Sequence, residues 1–175
     1  MQSSTLWSIG YRIVLILGFD LVWLSAVVGR QDYLWLTAIL VALVYAVNFK
    51  MVWSRRAEIL YLITFGLLCE WLVVELGVLQ FSGTSGLPSW LVLLWLGFGA
   101  LAFTAMDWLA GRYTLAWLLG IVFGPLTYVA GIRFGAAELT STYPLLVVAY
   151  GFKWGVIMHF LAFLSSRARF KYEMA

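Results

Sequence analysis

Asp20, Glu70 and Lys153 each stand in the middle of a long run of apolar residues. Charges placed there could do three kinds of chemistry. They could form an ion pair that fixes how helices face each other, bind a lipid headgroup or solute, or pass protons. A charge at the centre of a membrane helix costs roughly 2.5 to 3.5 kcal/mol. Flanking Leu, Ile, Val and Phe residues each return a few tenths of that, so such a helix still inserts. With two acids and one base, the simplest arrangement sets Lys153 against Glu70 or Asp20 and leaves one carboxyl over. Tyr128 and Trp154 are expected at the same depth, so the predicted polar cluster is Asp20, Glu70, Lys153 and Tyr128. A structural pair and a working site both remain open at this point.

Other chemistry is thinly represented. Cys69 is the single cysteine, which excludes an internal disulfide and any paired-cysteine redox or metal motif. It adjoins Glu70, but no base is placed to make it a thiolate, and a small packing residue is the simpler role. His159 is the single histidine and has no second ligand, so it reads as a packing or hydrogen-bonding residue. There is no HExxH, no glycine-rich phosphate loop and no Cys/His set for a tetrahedral metal site. Pairing Ser85 with His159 as a membrane serine protease fails on depth, because the serine falls in an outer loop and the histidine in the inner half of a helix. No cofactor and no metal is expected, and an enzyme would have no visible machinery.

The elements that carry these residues follow from composition. The chain has 175 residues, of which 64% are hydrophobic and 11% charged. Soluble domains carry roughly twice that charged fraction. The apolar surplus must therefore face hydrocarbon. The net charge of +3 comes from short basic clusters at the ends of apolar runs. That is a topology signal and not a nucleic-acid groove.

Six apolar runs of about spanning length can be marked. They cover Ile9 to Val28, Tyr33 to Val52, Ile59 to Leu79, Pro88 to Met106, Tyr113 to Ile132 and Pro144 to Leu164. The first is interrupted by Asp20 and lacks a small-x-small cleavage site, so it reads as a retained helix and not a signal peptide. Strands are not expected, because the runs lack the alternation of a membrane barrel. The segment Ser82 to Gly86 reads as a flexible connector.

Lys50, Arg55, Arg56, Arg112, Arg167, Arg169 and Lys171 fall on one side of such a bundle, and only Arg30 and Arg133 on the other. The positive-inside rule then puts both termini in the cytoplasm. Trp53 and Trp108 are expected at the inner interface, and Tyr33, Trp35, Trp90 and Tyr143 at the outer one. Asp107 is expected to pair with Arg112.

The fifth run carries Gly120, Gly124, Gly131 and Gly135 at steps that return to one helix face. Small residues there let a second helix approach closely, and Gly151 and Gly155 of the sixth run offer the same spacing. Gly124-Pro125 removes a backbone donor and predicts a kink in the fifth helix at the depth of the charges.

The stretch Gly120 to Ala136, read as GP-Leu-x-Tyr-x-x-Gly-x-Arg-x-Gly from Gly124, resembles the signature of domain-of-unknown-function family 2878, small bacterial inner-membrane proteins. An acid in the middle of the third run, Glu70, and the turn Asp107 to Arg112 are similar as well. The likeness covers nearly the whole chain, although Asp20 departs from the uncharged polar residue expected there. The resemblance implies no activity and carries over no catalytic residue. It marks Glu70, Gly124, Pro125, Tyr128, Gly131 and Arg133 as determinants of shared structure. Members are often encoded near fatty-acid-modifying enzymes, which implies an accessory role in membrane-lipid modification.

The expectation is thus an all-α, polytopic bundle of six transmembrane helices in the bacterial inner membrane, forming a single domain. Its partners would be membrane lipids and a lipid-modifying enzyme, with no nucleic acid. An accessory, lipid-associated component is the leading function. A small transporter or proton-coupled carrier is the alternative, and a membrane enzyme of lipid modification the third.

Overall fold

In a computed structural model of the chain, the backbone is described over residues 2–173 and side chains over residues 10–168. Arg169 and Lys171 of the basic tail lie outside the described side chains. The helices are α1 (Gln2–Gly29), α2 (Leu34–Val47), α3 (Phe49–Ser54), α4 (Arg56–Glu75), α5 (Ser89–Ala105), α6 (Tyr113–Arg133) and α7 (Tyr143–Glu173). A 3-10 turn, Asp107–Leu109, links α5 to α6. The fold is all-α in its spanning elements and is compatible with a membrane bundle. Among the described residues, four helices are long and apolar enough to cross a membrane: α1 over Gly10–Gly29, α4, α6, and α7 over Tyr143–Ala168. The apolar helices α2 and α5 are shorter, at 14 and 17 residues.

The second predicted run is not one helix. It breaks at Asn48, whose amide turns back to the Val44 carbonyl at 2.8 Å and accepts from the Tyr11 hydroxyl at 3.0 Å. A side chain that competes for backbone groups ends one helix here and lets α3 start at a new angle.

Strands do form, contrary to expectation. β1 (Leu79–Phe81) and β2 (Ala137–Leu139) pair antiparallel, with Gln80 opposite Glu138. Two glycines produce them. Gly77 (φ 68°) and Gly135 (φ 72°) end α4 and α6 in left-handed turns. In each case the helix closes with a pair of backbone bonds, Gly77 to Val74 with Val78 to Val73, and Gly135 to Ile132 with Ala136 to Gly131. This is the Schellman ending that only glycine adopts without strain. The chain then leaves both helices extended, side by side. Ser82, Thr140 and Ser141 hydroxyls bond carbonyls of the opposite segment at 2.8 to 2.9 Å, and Arg30 donates to the Gly135 carbonyl at 2.5 Å. Ser82, expected in a flexible connector, is thereby tied to the segment leading into β2.

The helices alternate in direction. One end of the bundle gathers Arg12, Asn48, Asp107 and Arg112, joined by the Tyr11–Asn48 bond and an Arg12–Asp107 ion pair at 2.8 Å. The expected Asp107–Arg112 pairing is therefore corrected, and Arg112 lies instead over the Trp108 ring. The other end holds Arg30, the strand pair and the Ser89–Gln31 bond. Trp90, expected in the outer aromatic belt, is buried and meets Phe81 edge-on at 5.5 Å.

α5 forms the centre of one half of the bundle and packs against α1, α2 and α4, while α6 packs against α7. The α6–α7 seam rests on Gly120 and Gly124, which face the Trp154 backbone and ring, and on Gly151 and Gly155, which face Ile121 and Trp117. Helix α6 continues through Pro125. The Ile121 carbonyl, which Pro125 leaves without a helical donor, lies against Gly151, where an added Cβ would be 3.4 Å away. Two of the glycines expected on the seam are elsewhere. Gly135 is in the turn beyond the helix, and nothing lies within 4 Å of where a Gly131 Cβ would be. A Cβ on Gly120 would overlap the Trp154 carbonyl, which is backbone and cannot rotate away. Gly120→Ala is expected to destabilise the purified protein by about 1 to 3 kcal/mol, read as a lower thermal midpoint. Gly131→Ala should leave the midpoint unchanged or slightly raised, because it adds helix propensity without a clash.

Candidate functional site

Three helices deliver one buried polar cluster. α4 contributes Glu70, α6 Tyr128, and α7 both Tyr150 and Lys153. Glu70 is 0% exposed and Lys153 is 4% exposed, so both charges are fully withdrawn from their surroundings. Lys153 Nζ donates to Glu70 Oε2 at 2.6 Å and to the Tyr128 hydroxyl at 2.8 Å. The Tyr128 hydroxyl donates to the same Oε2 at 2.5 Å. The ammonium also lies over the Tyr128 and Tyr150 rings, at 4.4 and 4.3 Å from their centroids. These two rings contact each other at 3.7 Å between centroids.

An ammonium has three donors and no acceptor. Here a carboxylate, a phenol and an aromatic face surround it. Cation–π contact is worth about 2 kcal/mol or more when desolvated, and a charge-assisted hydrogen bond about twice a neutral one. The cluster therefore holds α4, α6 and α7 at one mutual register. Tyr150 was not singled out from the sequence. Its position three residues before Lys153, one helical turn away, is the signal that could have found it.

Asp20 does not join the cluster, which corrects the expectation that it would. It stands on an exposed stretch of α1, which packs chiefly on α2 and α5. What Asp20 borders instead is a cavity of about 520 Å³ enclosed by α1, α5, α6 and α7. Its walls are mainly aromatic and aliphatic, with Trp23, Trp90, Trp95, Trp108, Phe98 and Trp154 prominent. Trp95 and Trp154 stack at 5.4 Å with planes 9° apart, and Phe98 meets both edge-on. Phe81, Ala136 and Ala137 at the strand pair border one end, and Met106, Trp108 and Leu109 at the 3-10 turn border the other. Gly131, free of neighbours at its Cβ position, opens onto this space.

The cavity and the charged cluster share a wall, since Tyr128 and Trp154 belong to both. On the flank, Ile16 and Asp20 of α1 and Phe123 and Thr127 of α6 are exposed. α1 and α6 form no extensive packing with each other, and these exposed lining residues fall near the middle of the two helices. Neither end of the chain's hydrophobic runs pointed to this cavity. It arises from the way the α6–α7 pair stands off from α1 and α5, a tertiary fact without a local signal.

The remaining candidates are elsewhere. His159 is exposed on α7 beside the Tyr113 and Trp117 rings, and Cys69 is half-buried on α4. Arg133 is exposed at the last turn of α6. Among the described residues, no group of three His, Cys, Asp or Glu side chains could hold a metal ion.

Comparison with known proteins gives one match. A family described as "Protein of unknown function (DUF2878)" matches residues 12–160. No curated protein and no solved structure matches the chain.

Proposed function

Because the chain belongs to the family of proteins of unknown function DUF2878, whose description assigns no activity, we propose a function from the geometry alone: a lipid-associated protein that holds a hydrocarbon guest in its lateral cavity. The cavity itself carries this reading. Ligand sites are typically concave, mostly apolar and about 300 to 1,000 Å³, and this one, about 520 Å³, has walls of aromatic and aliphatic carbon with a single charged side chain. We place its opening between α1 and α6 at mid-depth, where the surroundings are acyl chains. A guest would enter from the bilayer.

We place the protein in the bacterial inner membrane with both termini in the cytoplasm. What supports the orientation is that Arg12, Lys50, Arg55, Arg56, Arg112 and Arg167 belong to one end of the alternating bundle, against Arg30 and Arg133 at the other. An accessory role beside a lipid-modifying enzyme fits a site built to hold carbon and not to transform it. The transporter reading draws on the buried charges, and their direct contact with each other favours a structural role for them over a carrier's ion site.

Tryptophan quenching tests the reading. Trp23, Trp90, Trp95, Trp108 and Trp154 line the cavity. In detergent, dibrominated methyl stearate is expected to quench their emission and to saturate near one chain per protein. Quenching that rises without saturation, as surface Trp35, Trp53 and Trp71 alone would give, removes the proposal.

A further inference from the structure

Resting on the reading of the cavity as a hydrocarbon site, we infer that its guest carries a hydrogen-bond-donating group, a hydroxyl or an ammonium, which seats on Asp20 at the middle of the membrane. Among the described residues, Asp20 is the one charged side chain in the cavity lining. It stands half way along the spanning part of α1, Gly10–Gly29. Among the described residues it has no ion-pair or side-chain hydrogen-bond partner, in contrast to the other mid-depth charges, Glu70 and Lys153. An acid at this depth is expensive to insert, and such residues characteristically face a partner or a cavity that marks a binding site.

Of the other polar side chains of the lining, the Trp154 indole nitrogen is buried without a hydrogen-bond partner, whereas both hydroxyls of the α6 wall are engaged. The Thr127 hydroxyl donates to the Gly124 carbonyl at 2.7 Å, and the Tyr128 hydroxyl is committed to Glu70. A carboxylate accepts hydrogen bonds and donates none. It therefore selects a donor, and it repels a phosphate or a carboxylate by like charge. Depth acts in the same direction. The hydrocarbon core is about 30 Å thick, so a phospholipid headgroup seated at the interface stands about 15 Å from the bilayer centre. A small donor on a long chain or ring system reaches mid-depth without dragging such a headgroup with it. The tryptophan-rich walls then take the hydrocarbon.

The test uses the full chain in detergent and measures displacement of dibrominated methyl stearate. The competitors are hexadecanol, hexadecylamine, hexadecyl methyl ether and palmitate, which share a chain and differ in the head. A hydrogen bond to a charged group is worth about tenfold or more in affinity. The alcohol, the amine or both should compete about tenfold better than the ether, with palmitate weakest. Asp20→Leu, which eases insertion of α1, should lower the donors to the level of the ether. Asp20→Asn keeps an acceptor oxygen and separates the two donors: an alcohol site retains its preference, and an ammonium site loses it. Equal competition by ether and donors in the wild type overturns the inference, as does a donor preference that survives Asp20→Leu. In both of those cases the ether still displaces the bromolipid, so the hydrocarbon site stands. If no chain displaces it, the cavity reading falls and this inference falls with it.

Discussion

Glu70→Leu is expected to destabilise the protein by about 3 to 5 kcal/mol, the usual cost of leaving a buried charge without its partner. Lys153 would keep its 4% exposure, its phenol and its aromatic faces, but it would lose the carboxylate 2.6 Å away. The Tyr128, Tyr150 and Trp154 rings lie around the ammonium. The loss should fall on the junction of α4 with the α6–α7 pair, where Glu70 is the polar contact from α4. Adding Lys153→Met to Glu70→Leu should recover most of the loss, because an apolar pair of similar size leaves nothing unsatisfied. The thermal midpoints of the two single variants and the double variant in detergent form the cycle that measures this. Near-wild-type stability in Glu70→Leu would show that the pair does not hold the helices together, and would return the charges to a working role.

Gly131→Phe is the second large expected effect. The position is helical, buried and without neighbours at its Cβ, and it opens onto the cavity. A phenyl ring there occupies the space a guest would take, and replacing glycine within a helix favours the fold by up to about 1 kcal/mol. The variant should fold with a midpoint at or above that of the wild type. Its saturable quenching by a brominated chain should fall at least about tenfold. Stability and binding thus separate: Gly120→Ala damages the seam, while Gly131→Phe blocks the cavity. Unchanged binding in a folded Gly131→Phe would locate the chain elsewhere.

The spanning segments were legible because lipid imposes a length and an apolar composition on them, and the charges stood out against that background. Glu70 and Lys153 meet although they lie 83 residues apart. The need for a counter-charge predicts such a partner, yet depth alone could not tell Glu70 from Asp20. That choice depends on which helix faces which, and it was decided by packing, with α1 against α5 and α4 against α7. Helical periodicity continued past the end of α6 places Gly135 on the seam, whereas Gly131 lies inside the helix at a point where no neighbour approaches its Cβ position. The left-handed turn at Gly135 follows from the Schellman ending, and a glycine just after a periodic run was its local sign. The strand pair goes unread for the same reason: the third apolar run continues through Leu79, which belongs to β1. The Asn48 break had only a single polar residue to announce it.

The most direct test of a protein that keeps a hydrocarbon guest is native mass spectrometry of the wild type beside Gly131→Phe, both purified from membranes in a detergent that strips loosely held lipid. The expected result is one retained adduct per wild-type protein, of lipid mass, absent from Gly131→Phe. A bare wild-type protein, or the same adduct on both, would contradict it.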